Sequence, residues 1–172
     1  MTDIWSKEKR SAVMARIKSK NTKPELTVRH FLFSRGYRYR IHVTRLPGTP
    51  DIVLKKYRVV IFVHGCFWHG HSLDGNLPHT NVQFWADKIE RNKERDYENK
   101  RILVSMGWKV IVIWECQLKS KAKAQTLNSL EFLLNKSFLD DRRLLSANAY
   151  GLQHPEGEEG SMAAEEPVEY GK

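Results

Sequence analysis

The chain has 172 residues with a 41% apolar share, enough for one domain with a self-sufficient core, and its two cysteines are too few for a disulfide framework. Met1–Arg10 lacks the apolar run of a signal peptide, and the best apolar runs, Val59–Val63 and Val110–Trp114, are far too short to span a bilayer, so a soluble protein of a reducing, cytoplasmic compartment is expected. The net charge of +9 is unevenly spread: residues 155–172 carry six acids and one base, leaving 28 bases against 14 acids before them, a balance that suits a polyanionic partner such as nucleic acid.

A soluble basic surface gives the same balance, so the motifs must decide. Lys7–Lys20 has helix-forming composition. Thr22-Lys23-Pro24-Glu25 is a capping-box pattern with proline early in the first turn, and it opens a helix that should stop at Gly36. Tyr37–Val43 alternates, with Tyr37, Tyr39, Ile41 and Val43 on one side and Arg38, Arg40 and His42 on the other, as a half-buried strand does. Asp51–Leu54 and Arg58–Val63 are short apolar strands joined by Lys55–Tyr57 as a hairpin. A loop dense in His, Gly and aromatics follows from His64 to His79. A long polar helix then runs from Thr80 or Asn81 through Met106 to a stop at Gly107. Trp108–Trp114 reads as a strand buried on both faces, and Lys121–Asn135 as an amphipathic helix. The order α-α-β-β-β-α-β-α predicts an α/β fold, a central mixed sheet flanked by helices. No repeat is visible. Residues 1–154 form the domain, with its core at about 7–136, and 155–172 an acidic tail expected to be disordered.

Several residues have chemistry to offer. Asp51 stands where a loop enters a strand, the place a Mg²⁺ nuclease needs a hard carboxylate beside a phosphate; a turn residue accepting backbone hydrogen bonds is the plainer reading. The next strand ends Val63-His64-Gly65 without the acid and lysine of a general nuclease motif, so a second metal ligand there must be a backbone carbonyl. His64-Gly65-Cys66-Phe67-Trp68-His69-Gly70-His71 packs three histidines and a cysteine into eight residues, the donors of a zinc site and of a general base near neutrality. A structural zinc knot without catalysis and a hydrogen-bonded core turn are the alternatives. The capping box accounts for Glu25 by itself, though a capping carboxylate can also meet a metal-bound water. Phe67, Trp68 and Trp85 can wedge between bases or pack the loop, and Lys88, Asn92 and Arg95 lie along one helical face as phosphate-contacting types do.

These residues form a pattern. Leu46-Pro47-Gly48-x-Pro50-Asp51, then Tyr57-Arg58-x-Val60-Ile61-Phe62-x-His64-Gly65-Cys66-Phe67-Trp68-His69, then Phe84-Trp85-x-x-Lys88-Ile89-x-x-Asn92-x-x-Arg95-Asp96, then Gly107-Trp108-x-Val110 and Val112-x-Trp114-Glu115-Cys116, resemble the very short patch repair (Vsr) endonuclease family over roughly Lys7 to Leu118. The resemblance implies a restriction-endonuclease-like fold and Mg²⁺-dependent nicking of double-stranded DNA 5′ of the thymine in a T:G mismatch. It implies catalytic roles for Asp51, His69, Glu25 and His64, with Mg²⁺ on Asp51 and the Val63 carbonyl where the family often has threonine. Phe67, Trp68 and Trp85 match the intercalating aromatics. A cytosine-5 DNA methyltransferase is the implied functional companion, mismatch-repair proteins are further candidate partners, and the enzyme is expected to act as a cytoplasmic, nucleoid-associated monomer. The family's zinc site has four ligands: Cys66, His71 and Cys116 match three, and Leu73 stands at the fourth. Either Asp74 or His79 substitutes, or the site holds no metal. A non-catalytic zinc-stabilised DNA-binding module and a Mg²⁺ nuclease without mismatch preference are the competing functions.

Overall fold

A computed structural model describes residues 20–72 and 81–149, together with Ser6, Lys9, Ala12 and Pro78, with side chains through residue 143. Most of the expected first helix, the acidic tail, and Leu73, Asp74 and His79 lie outside the described residues. Helix α1 spans Lys23–Ser34, and its capping box is formed: Thr22 Oγ1 accepts from the Glu25 N–H, and the Glu25 carboxylate accepts from the Thr22 N–H. The other end closes as a Schellman turn. Gly36, at φ +80°, donates to the Phe33 carbonyl and Tyr37 to that of Leu32, a left-handed position that glycine fills without steric cost.

The sheet has the order β1-β2-β3-β4, where β1 is Arg40–Ile41, β2 Ile52–Leu54, β3 Val59–His64 and β4 Lys109–Trp114. The first three strands pair antiparallel; β3 and β4 pair parallel from Val59↔Lys109 to His64↔Trp114. Helix α2, Val82–Ser105, makes the crossover between them, and α3, Lys123–Ala149, follows β4. Alternation along the strands splits the core in two. Ile52, Leu54, Val59, Ile61 and Ile113 meet Val28 and Leu32 of α1 and Leu127, Leu130 and Leu134 of α3. Val53 and Val60 face the other way, onto Leu103 of α2 and Leu46. Each fully buried aliphatic contributes roughly 1.5–3 kcal/mol, and both faces of the sheet are thereby covered. The α/β architecture of a mixed sheet between helices is as expected, and so is the β2–β3 hairpin through Lys55–Tyr57.

Three expectations need correction. The strand expected over Tyr37–Val43 shrinks to Arg40–Ile41, and His42, at φ +46°, ends it and breaks the alternation. Strand β4 is not buried on both faces: only Ile113 is buried, since β4 is an edge strand paired on one side. The last helix runs well past Asn135. Ser137 Oγ donates to the Tyr57 carbonyl, the Phe138 ring packs on Tyr57, and Lys109 Nζ donates to Asp141, so the sheet edge holds the extra turns. No described helix is long and apolar enough to cross a membrane.

Candidate active site and nucleic-acid interface

The register of β3 decides which side chains meet. His64 ends the strand on the α2 face, and the chain then turns sharply: His69 N donates to the Gly65 carbonyl, and His71 N to that of Cys66. This turn lies against α2. At Gly70, φ +59°, an added Cβ would come 2.4 Å from Lys93 Cε and 2.6 Å from Ile89 Cγ2, so only glycine permits the approach. Asn92 Nδ2 fastens the turn from α2 by donating to the Trp68 carbonyl at 2.8 Å. That bond gives Asn92 a structural duty, whereas Arg95 bonds back to Asn92 Oδ1 and leaves its remaining donors available.

The fastened turn lays His69 flat on His64, with ring centroids 3.8 Å apart and planes 8° from parallel. Nδ1 of His69 meets Asp96 Oδ2 of α2 at 2.5 Å. A carboxylate can only accept, so Nδ1 carries the proton and Nε2 of a neutral ring is left as an acceptor. Burial, aided by His69, pushes the His64 pKa down to about 4, so that ring is neutral near pH 7. Asp96 falls within the quoted sequence pattern, yet sequence alone gave it no role. Its signal is the four-residue step from Asn92, which puts both on one face of α2.

Asp51, immediately before β2, accepts the Val63 N–H through Oδ2 at 2.8 Å. Burial raises its pKa from near 3.8 to about 6; the Val63 hydrogen bond opposes that rise and Glu25 adds to it. A buried carboxylate held above its ordinary pKa gains from a nearby cation, and its hard oxygens suit Mg²⁺. Glu25 is 3% exposed and does more than cap: Oε2 accepts from Asn21 N at 3.1 Å and from Arg29 Nη2 at 2.8 Å. Arg29 also reaches Asn21 Oδ1 and His42 Nε2, at 2.6 and 3.0 Å. Burial, with Arg29 as the next cause, lowers the His42 pKa. Glu25, His42 and Asp51 thus form one cluster, and His64, His69 and Asp96 another. The sequence had hidden Arg29 and His42 as ordinary polar positions of a helix and a strand.

Both clusters open into a groove of about 1770 Å³. It is lined by Lys20, just before α1, and Lys23, at the start of α1, and by Lys88 and Arg95 of α2. Trp68, Phe84 and Trp85 line it as well. Phe67, Trp68 and Trp85 meet edge to face at 5.0–6.0 Å, Phe84 joins at 5.2 Å from Trp85, and the Lys88 ammonium lies 5.5 Å from the centroids of both Trp68 and Trp85. Acids, bases and an aromatic cluster gathered in one groove are the groups that can hold a phosphodiester for hydrolysis beside an unstacked base.

Behind the turn, Cys66 Sγ, His71 and Cys116 Sγ bring their ligand atoms within 4.8 Å of one another, and His71 stacks on Trp114 with centroids 4.2 Å apart. The donor set fits three corners of a zinc tetrahedron; among the described residues no fourth ligand joins them.

Residues 2–75 match the family model described as DNA mismatch endonuclease Vsr. The chain is 56% identical over 123 residues to the type II nicking enzyme V.NmeAIP of Neisseria meningitidis, covering 71% of this chain and 88% of that protein. It is 50% identical over 119 residues to the type II nicking enzyme V.XorIIP of Xanthomonas oryzae, covering 69% and 88%. To the DNA mismatch endonuclease Vsr of Escherichia coli it is 40% identical over 124 residues, covering 72% and 80%.

Proposed function

The chain belongs to the Vsr family of DNA mismatch endonucleases, and from that premise we propose that it nicks one strand of a duplex 5′ of the thymine in a T:G mismatch, in a Mg²⁺-dependent reaction. The observation that carries the reading is the convergence of Asp51 and the His69–Asp96 pair on one groove lined also by the edge-to-face aromatics Trp68 and Trp85. Asp51 and the Val63 carbonyl are the groups that would hold Mg²⁺, which when bound neutralises the phosphate and acidifies water. His69 takes the proton of the attacking water on Nε2, and Asp96 keeps Nδ1 protonated and stabilises the imidazolium that results. His64, neutral and parallel to His69, fixes the plane of that ring and adds no charge beside the cation. Arg29 holds Glu25 at the groove floor, where its carboxylate can meet water on the metal.

Phe67, Trp68 and Trp85 select the site of action. A mismatch unstacks at lower cost than a matched pair, so an aromatic wedge turns weak pairing into preference. Lys88 and Arg95 meet phosphate along the groove. T:G pairs arise when 5-methylcytosine deaminates, so the companion activity is a cytosine-5 DNA methyltransferase, and the working place is the cytoplasm, on DNA. Cys66, His71 and Cys116 are the residues that would hold a structural zinc, provided a fourth ligand comes from outside these three.

The test is a nicking assay on T:G and T:A duplexes, with Mg²⁺ omitted and then restored. Mg²⁺-dependent cutting confined to T:G is expected. Equal cutting of T:A refutes the mismatch preference, and cutting in chelator refutes the metal requirement. Binding without any cutting favours a DNA-binding module instead.

A further inference from the structure

His42 does not behave as a residue of an ordinary strand. Its backbone is left-handed at φ +46°, a conformation that costs a non-glycine residue roughly 1–3 kcal/mol and persists only where surrounding contacts impose it. The result is to turn the ring inward, between Arg29 and Asp51, where the side chain is 14% exposed. Nε2 lies 3.0 Å from Arg29 Nη2 and 3.7 Å from Glu25 Oε2. A guanidinium only donates, so Nε2 accepts, and the single proton of the ring resides on Nδ1. Nδ1 in turn lies 4.0 Å from Asp51 Oδ1. The opposite carboxylate oxygen, Oδ2, is already held by the Val63 N–H.

We propose that His42 is a positioning residue for Asp51: Arg29 fixes its tautomer, and the Nδ1–H so directed restrains Oδ1 while the Val63 N–H restrains Oδ2. The inference rests on the reading of Asp51 as the metal-binding carboxylate. The 4.0 Å gap exceeds a hydrogen bond by about 1 Å, a distance that a small rotation of the carboxylate closes once it is ordered by a ligand, as catalytic hydrogen bonds commonly tighten on binding. His42 as a metal ligand is the rival. It is disfavoured because a cation on this ring would share it with the Arg29 guanidinium, with Lys20 as a further positive charge nearby. Glu25 offers little relief, since its Oε2 is already committed to Arg29 and the Asn21 N–H.

Two substitutions separate the ring nitrogens. His42→Asn tolerates the left-handed backbone and keeps an amide N–H near the Nδ1 position. His42→Gln reaches towards Arg29 and leaves nothing at Nδ1. In the metal-free protein, a long-range ¹H–¹⁵N spectrum of the imidazoles should show His42 as the Nδ1–H tautomer; an Nε2–H tautomer overturns the proposal. In nicking assays, His42→Gln should lower kcat and raise the Mg²⁺ concentration for half-maximal activity, each about tenfold or more, with KM for the T:G duplex unchanged. His42→Asn should recover both to within about threefold, a distinction that loss of a merely structural or metal-ligating ring does not produce. A Gln variant equal to wild type, or an Asn variant as defective as Gln, overturns it. Wild-type protein and Asp51→Asn run alongside. A wild type that needs no Mg²⁺ sinks the reading of the site and this inference with it, whereas an active wild type indifferent to both His42 variants sinks the inference alone.

Discussion

Asp51→Asn should make the metal-free protein more stable while abolishing nicking. Burial lifts the Asp51 carboxyl from near 3.8 to about 6, so above pH 6 the folded chain carries an ionised group that it would rather protonate. The sign follows from proton counting. Between the two values the folded state holds a proton that the unfolded state has lost, so stability falls as pH rises through this window and levels off above it. Moving the group from 3.8 to about 6 is equivalent to about 3 kcal/mol at pH 7.5. Asparagine matches the neutral acid in shape and still accepts from the Val63 N–H, so it recovers most of that cost. The gain should shrink to about half at pH 5 and nearly vanish at pH 3.8. His64 titrates the opposite way: its folded value near 4 lies below its ordinary one, so its contribution is present at neutral pH and lost as pH falls. The wild-type curve therefore conceals both groups, and only the difference between variant and wild type isolates Asp51. Urea unfolding in chelator at pH 7.5, 5 and 4 measures it. Mg²⁺ should then stabilise wild type and leave the variant unchanged. A variant no more stable at pH 7.5, or a gain that does not shrink on acidification, refutes the claim that burial controls this carboxylate.

Asp96→Asn should lower kcat about 100-fold with little change in KM, because an amide can hold the His69 ring in the wrong tautomer; single-turnover nicking of a T:G duplex measures it. Trp85→Ala removes the ring that touches Phe67, Trp68 and Phe84 together, and should weaken binding to mismatched DNA by roughly 1–3 kcal/mol while matched-duplex affinity changes less, as fluorescence titration of both duplexes would show. Elemental analysis should return one zinc per chain, and Cys116→Ser should remove it and lower the unfolding temperature; a chain purified without zinc that unfolds at the same temperature as its Ser variant excludes the site.

Much of the fold was legible because its signals are local. Thr22 and Glu25 are three residues apart, Gly36 and Gly107 stand where left-handed turns end helices, and the β2–β3 hairpin closes over the four residues Lys55 to Arg58. The failures arose where a tertiary contact outweighs a local preference. Tyr37–Val43 has the alternation of a strand, but Arg29 and Asp51 draw the His42 ring inward and the strand ends at Ile41. Trp108–Trp114 has the unbroken apolar run of a central strand yet sits at the sheet edge, because nothing in its own sequence says how many neighbours it will have.

The site divides along the same line. His64 and His69 could be picked out because chemistry-bearing types crowd the end of β3 and its turn, and Asp51 because it stands where a loop enters β2. The residues that govern them could not. Asp96 lies 27 positions from His69 and Arg29 lies 13 from His42, and each is of a kind abundant on any basic helical protein. What distinguishes them is not their type but the direction of their hydrogen bonds. Asp96 can only accept and Arg29 can only donate, so each sets the tautomer of the imidazole it meets. Two histidines of ordinary composition thereby acquire the same Nδ1–H tautomer but present opposite nitrogens to the site: His69 its bare Nε2, for a proton from water, and His42 its Nδ1–H, towards Asp51. The catalytic assignment depends on that pair of choices, and both are made by helices, α2 and α1, that carry no part of the His-rich turn. Fastening those helices to the sheet on either side of β3 is therefore what gives the histidine cluster its chemistry.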